Sequence, residues 1–140
     1  MSILDRRIRQ DFVFFSENSS ESVVTQVGDL VRHHFRILNA RNFDLLKTTV
    51  APDAVLDSIA AGGQVAFVEY CLAMKERFKI GHNIFFEDVL IKMVNQSQAE
   101  VSGTLSIMSG MRCVFQKGLV FFCNREAGCW LIKESKYAPI

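Results

Sequence analysis

The hydrophobic pattern of this 140-residue chain changes its period once, at Gly81. Before this glycine, apolar residues recur every three or four positions, which is the spacing of amphipathic helices. After it, apolar and polar residues alternate, which is typical of strands that have one face buried. A series of helices followed by a series of strands predicts an α+β domain in which the helices pack on one face of an antiparallel sheet.

Three helices are predicted before Gly81. The first begins at a capping box formed by Asn18 and Glu21 and ends near Ala40. The second is short, begins at Asn42 and ends before Pro52, because the residue preceding a proline is disfavoured in a helix. The third has one apolar face, made of Phe67, Cys71, Met74 and Phe78. A short extended segment, 54–58, and a glycine-containing loop separate the second and third helices.

Four strands are predicted after Gly81, at 84–93, 99–109, 111–123 and 129–137. Two of them are apolar on both faces: Phe85, Val89 and Ile91 are expected opposite Ile84, Phe86 and Leu90, and Phe121 opposite Phe122. A sheet covered by helices on one face alone should not show this pattern. We therefore expect a second copy of the chain to cover the other face, in a homodimer that forms through the sheet.

Composition and charge exclude several classes of protein. The chain is 49% hydrophobic with 12 Phe and 2 Pro, which excludes general disorder. Sixteen basic residues nearly balance fifteen acidic ones, so no broad positive field is available for nucleic acid or for a membrane. Neither a signal peptide nor an apolar run of about 20 residues is evident, and we expect a cytoplasmic protein. The mean hydropathy of +0.17 indicates that some apolar surface lines a pocket or an interface.

The four cysteines contain no C-x-x-C pair, so a zinc site is not expected. Cys123 and Cys129 flank a turn, where they either form a disulfide across a hairpin or remain reduced as small apolar residues. The chain has no G-x-S-x-G motif, P-loop or dinucleotide-binding fingerprint. We therefore expect neither a metal nor a cofactor.

The order of the elements, together with three segments, resembles the nuclear transport factor 2-like superfamily, which includes polyketide cyclases and ketosteroid isomerases. The segments are 39–44 (NARNFD), 51–57 (APDAVLD) and 128–132 (GCWLI). The resemblance covers about residues 21–137 and implies a cone-shaped, cystatin-like domain over 21–140. It leaves unexplained the N-terminal arm at 1–20, in which residues 3–15 could form a short helix. It also implies a ligand pocket between the first and third helices and the concave face of the sheet.

The resemblance to ketosteroid isomerases assigns candidate site residues. Asp57 matches the aspartate that transfers the proton, and the tyrosine of the first helix falls at His33 or His34. His34 is preferred because it lies on the apolar face of the helix, whereas His82 is expected in a turn that faces solvent. The acidic partner on a central strand would fall at 119–121, where this chain has only Leu, Val and Phe, which disfavours steroid isomerase chemistry.

Two alternatives stay open for each candidate residue. Asp57 is either a general base or a carboxylate that binds the backbone nearby. His34 either exchanges a proton with the ligand or is a buried histidine satisfied by a neighbouring group. The residues expected to line an apolar ligand site are Val31, Phe67, Cys71, Met74, Phe115, Phe121 and Trp130.

Two functions accordingly remain. One is a cofactor-free isomerase, cyclase or dehydratase that acts on a small hydrophobic or aromatic ligand. The other is a non-catalytic dimeric module for binding or protein interaction.

Overall fold

The computed structural model describes residues 13–15, 21–58 and 61–140. In chain order the elements are β1 (Val13–Phe15), α1 (Glu21–Ala40), a 3-10 helix (Phe43–Thr48), β2 (Val50–Ser58), β3 (Gly63–Ala66), α2 (Phe67–Arg77), β4 (His82–Asn95), β5 (Gln98–Ser109), β6 (Arg112–Glu126) and β7 (Cys129–Ala138). The strands form one sheet in the order β1-β4-β5-β6-β7-β2-β3. β1 with β4 and β2 with β7 are parallel pairs, and the other neighbours are antiparallel. The predicted α+β class, with helices packed on a curved and mostly antiparallel sheet, is confirmed.

The elements between the two α-helices differ from the prediction. The second helix is a 3-10 helix, and the side chain of Asn42 forms no capping hydrogen bond. Strand β2 begins at Val50 rather than at residue 54, and it contains Pro52. The pairing of β2 with β7 is interrupted between Val50 and Val55. Pro52 lies in this interruption, so its lack of an N–H removes no hydrogen bond from the sheet there. The predicted glycine-containing loop instead leads into the short strand β3, which pairs with the end of β2.

Val13–Phe15 form a strand that pairs in parallel with Leu90–Lys92 of β4. The short helix expected for the arm is therefore wrong for these three residues, because the edge of β4 supplies backbone hydrogen-bond partners that favour the extended form. The cap predicted at Asn18 and the rest of the arm lie outside the described residues. Neither α-helix in the described ranges is long and apolar enough to cross a membrane.

A β-bulge in β4 changes which residues face the helices. The pairing with β5 shifts between Glu87 and Leu90, and Asp88 has a positive φ of 55°. The extra residue puts Phe86 and Val89 on the same buried face, although they are three positions apart. The expected grouping is therefore wrong: the buried residues are Ile84, Phe86, Val89 and Ile91. Leu90 is exposed.

The centre of the core is a group of aromatic rings. Phe35 of α1 stacks on Phe86 of β4 with ring centroids 4.9 Å apart, and Phe121 of β6 meets both rings edge-on at 5.7 Å. Gly103 of β5 makes room for this group, because a Cβ at this position would lie 2.7 Å from the Phe86 ring. Close packing of these residues thus joins α1 to β4, β5 and β6.

The side chain of Asn39 connects the end of α1 to strand β4. Its Oδ1 accepts a hydrogen bond from the backbone N–H of Ile84 at 2.7 Å, and its Nδ2 donates to the Ile84 carbonyl at 2.9 Å. The amide thereby satisfies backbone groups of β4 at a position where β1, which pairs with residues 90–92, does not reach.

Arg41 fixes the loop between α2 and β4. Its Nη2 donates to the carbonyls of Lys79 and His82, both at 2.6 Å, and its guanidinium lies 4.4 Å from the centre of the Phe78 ring. Both Asn39 and Arg41 belong to the segment 39–44 that carried the resemblance.

We predict that Asn39→Ala lowers the free energy of unfolding by about 2–3 kcal/mol, because it leaves the N–H and C=O of Ile84 without partners. Asn42→Ala is the matched control: Asn42 is exposed and its side chain makes no capping bond, so its removal should change stability by less than about 0.5 kcal/mol. Urea unfolding of both variants tests this. Equal losses would show that the Asn39–Ile84 bonds contribute nothing specific.

Candidate ligand cavity

A cavity of about 360 Å³ lies between α1, α2 and the concave face of the sheet. Its walls are mainly apolar and include Leu38, Leu56, Met74, Ile84, Leu119 and Phe121. Polar side chains at the same walls include His34, Asp57, Ser58, Tyr70, Ser135 and Tyr137, together with Arg77, Lys79 and His82. An apolar enclosure of this size with a few polar groups is typical of sites that bind small molecules.

His34 projects from α1 into the wall of the cavity and is only 2% exposed. Its Nδ1 lies 3.0 Å from the hydroxyl oxygen of Thr49, and the edges of Phe35 and Phe121 meet its ring, each at a centroid distance of 5.6 Å. Within 21–58 and 61–140, Nε2 has no hydrogen-bond partner. One nitrogen is thus fixed by Thr49, and the other is available to a ligand.

Burial lowers the pKa of His34 to about 3, because the charged imidazolium loses its hydration, and the neighbouring His33 adds a smaller repulsion. At neutral pH the ring is therefore uncharged. A neutral imidazole can orient a ligand through a hydrogen bond, but it does not supply an acidic proton as an imidazolium would.

Asp57 lies near the end of β2, half-buried in the cavity wall. Its Oδ2 accepts a hydrogen bond from the backbone N–H of Tyr137 at 3.0 Å, and its own N–H donates to the Ser135 hydroxyl at 3.1 Å. The two alternatives for this residue are thus compatible: the carboxylate binds the backbone of β7 through one oxygen, and the same side chain lines the cavity. Oδ1 has no partner among the described residues.

Two tyrosines in the wall were not singled out by the sequence. Tyr70 of α2 is buried, and this burial raises the pKa of its phenol, with smaller contributions from Tyr137 and Cys71. The hydroxyl is therefore protonated at any physiological pH and can donate a hydrogen bond. The sequence feature that could have identified Tyr70 is its four-residue spacing from Met74 and then Phe78, which places the three residues on one helical face. Tyr137 gave no such signal, because its position depends on the pairing of β7 with β2 and β6.

The structure brings some of the expected ligand-binding residues to the cavity and leaves others away from it. Met74, Phe115 and Phe121 line the wall. Phe67 and Cys71 are half-buried outside it, because α2 turns the face of Tyr70 and Met74 towards the cavity. Val31 and Trp130 are also outside the wall: Val31 is packed in the core, and Trp130 lies at the start of β7, far along the strand from Tyr137.

The four cysteines are free. Cys123 is buried and pairs in register with Ile132, whereas Cys129 is exposed and pairs with Glu126, so the alternative of a disulfide across this hairpin is wrong. In the part of the chain that the structure describes, no three His, Cys, Asp or Glu side chains lie close enough together to hold a metal ion.

The fold and the cavity together define the described part of the chain as a cone-shaped α+β domain with an internal cavity between the helices and the sheet. No family model and no curated protein matches the sequence. Similar solved structures do exist. A cystatin-like protein of unknown function from Nostoc punctiforme superposes with a TM-score of 0.71 at 14% identity, over 84% of this chain and 91% of that one.

Two further similar structures carry functional descriptions. A candidate ketosteroid isomerase from Shewanella frigidimarina has a TM-score of 0.67 at 16% identity, over 83% of this chain and 97% of that chain. A candidate calcium/calmodulin-dependent protein kinase II association domain from Xanthomonas campestris has a TM-score of 0.70 at 14% identity, over 90% and 92%. The predicted resemblance to the nuclear transport factor 2-like cone fold is confirmed. At these identities the similarity establishes the fold alone.

We predict that His34 makes the protein less stable as the pH falls. Its pKa is about 3 in the folded state and 6.5 in an unfolded chain, so below 6.5 the unfolded state binds the extra proton and is favoured. The free energy of unfolding should drop by about 2 kcal/mol between about pH 7 and about pH 5, a window in which most carboxylates stay ionised.

Urea unfolding at the two pH values measures this drop. His34→Gln should remove most of it, whereas His33→Gln, which alters an exposed neighbour, should keep it. If His34→Gln retains the full drop, the histidine is not the group that senses pH.

Proposed function

We propose that this protein binds a small, largely apolar metabolite in the cavity and catalyses a cofactor-free proton transfer on it, such as an isomerisation, a cyclisation or a dehydration. One observation supports this above all: the Asp57 carboxylate, the His34 imidazole and the Tyr70 phenol line the same apolar cavity. A cytoplasmic location, expected from the sequence, forms part of the proposal.

In this proposal Asp57 is the base. The N–H of Tyr137 holds Oδ2, and Oδ1 removes a proton from a carbon beside a substrate carbonyl. The same carboxyl group then returns the proton to a second carbon, so that the substrate is isomerised and the protein is unchanged. The apolar walls exclude water from this exchange.

Tyr70 would stabilise the charge that develops on the substrate oxygen. The phenol is protonated and donates a hydrogen bond, and the neutral imidazole orients the substrate through Nε2. Leu119 and Phe121 line the cavity where steroid isomerases have a second acid. A tyrosine from α2 thus takes the place of that acid in our proposal, which implies a substrate other than a typical steroid.

We predict that Asp57→Asn lowers the turnover of a proton-transfer substrate by about 10²–10⁴-fold with little effect on KM, because asparagine keeps the bond to Tyr137 but cannot accept the proton. A panel of β,γ-unsaturated ketones provides the assay, since their conversion to conjugated enones changes the ultraviolet absorbance.

Asp53→Asn is the matched control for this variant. Asp53 lies on the same strand, but its exposed carboxylate forms an ion pair with Lys133 outside the cavity, so its replacement should leave turnover unchanged. Wild-type turnover in Asp57→Asn would eliminate Asp57 as the base.

The second candidate function is a non-catalytic dimeric binding or interaction module. Its support is the outer face of the sheet, where Leu90 and Val94 are exposed and Phe85 and Phe122 are half-buried. The similar structure described as a candidate kinase association domain shows that this fold occurs in a protein named for association. We propose that a second copy of the chain packs on this face.

We predict that Phe122→Lys converts a dimer into a monomer, because it places a charge at the centre of the outer face. Leu45→Lys changes an exposed leucine on the 3-10 helix instead, and it should leave the dimer intact. Sedimentation velocity distinguishes the two species. A wild-type protein that sediments as a monomer would remove the sheet-to-sheet dimer from consideration.

A further inference from the structure

One end of the cavity wall carries three basic side chains. Arg77 and Lys79 are exposed, and His82, which the sequence predicted to face solvent, is half-buried in the same wall. They follow each other around the end of α2 and the start of β4. Among the described residues that line the cavity, Asp57 is the one carboxylate. We call Arg77, Lys79 and His82 the basic rim.

The charge at this end of the molecule is more positive than the chain as a whole. The strand register places His82 opposite Ser109, so the loop 77–82 lies beside the β5–β6 hairpin, 109–117. These two segments contain Arg77, Lys79, Arg112 and Lys117 and no Asp or Glu, whereas the whole chain has a net charge of +1. Basic side chains therefore outnumber acidic ones in the two segments that border this end of the cavity.

The basic rim is also held in place. Arg41 donates to the carbonyls of Lys79 and His82 and lies against the ring of Phe78, so the backbone of the loop is tied to the end of α1. A fixed backbone reduces the conformational entropy that an anion would remove on binding.

Apolar side chains border the same end. Ile80 is 93% exposed and Met111 is 100% exposed, and Val114 is partly exposed while it lines the cavity. The apolar part of a ligand can therefore pass between these side chains into the cavity, while an anionic group of the same ligand stays beside the basic rim.

We infer that the ligand is an apolar carboxylic acid, with its hydrocarbon or aromatic part in the cavity and its carboxylate at the basic rim. This inference rests on the proposed binding function of the cavity and adds the charge of the ligand to it. Arg77 and Lys79 would form charge-assisted hydrogen bonds to the carboxylate, which are stronger than bonds between neutral groups. Because both residues are exposed, their attraction weakens as salt screens it.

Matched probes test the charge preference by isothermal titration calorimetry. Octanoate, octan-1-ol and octylammonium share one chain and differ in the charge of the head group, and 2-naphthoate with 2-naphthol forms an aromatic pair. We expect each carboxylate to bind about tenfold more tightly than its alcohol, and octylammonium to bind most weakly. Added salt should reduce the difference between acid and alcohol.

The double variant Arg77→Gln/Lys79→Gln should weaken the binding of the carboxylates about tenfold and leave the alcohols unaffected. Lys47→Gln/Lys92→Gln removes two exposed lysines that do not line the cavity, and it should change neither. If acids and alcohols bind the wild-type protein equally well, and the Arg77→Gln/Lys79→Gln variant changes the affinity of neither, the charge preference is overturned while the cavity remains a ligand site. If no probe binds the wild-type protein, the binding function itself fails, and the inference with it.

Discussion

The pair of hydrogen bonds between the Asn39 amide and the backbone of Ile84 fixes the distance between the long helix and the sheet. Helix α1 ends at the next residue, Ala40. The N–H groups of Arg41 and Asn42 then bond back to the carbonyls of Leu38 and Ile37, and Arg41 adopts a positive φ of 59°. A glycine would adopt this conformation more easily, and the contacts of the Arg41 side chain with the next loop offset the strain. The hydrogen bonds at this junction, rather than the packing of mobile side chains, keep the cavity between α1 and the sheet open.

Within that space the two candidate catalytic groups occupy different environments. His34 is surrounded by aromatic rings and has lost its charge, so its contribution is confined to hydrogen bonding. Asp57 is less deeply buried, and its carboxylate accepts a hydrogen bond from the backbone N–H of Tyr137. The polar groups are therefore arranged from a neutral interior to a charged boundary. This order suits a substrate whose reacting part is apolar and whose polar part stays near water.

The sequence predicted those parts of the molecule that depend on local spacing. The change of period at Gly81, the end of α1 at Ala40 and the four strands of the meander follow from hydrophobic patterns. The bulge at Asp88 could not be predicted, because one extra residue in an apolar strand leaves the alternation ambiguous. The positions of His34 and Asp57 at the cavity wall were predicted from a family resemblance. The position of Tyr137 depends on strand pairing that no local pattern reveals.

The parallel pairing of β2 with β7 has a consequence for how the chain folds. The groups that position Asp57, the Ser135 hydroxyl and the Tyr137 N–H, lie 78 and 80 residues further along the chain. Closing so long a loop is entropically costly, and contacts between distant residues slow the folding of small domains. The hairpins of β4, β5 and β6 need no such closure. We therefore expect the sheet to form from these local hairpins and the site to be completed last, when β7 joins β2.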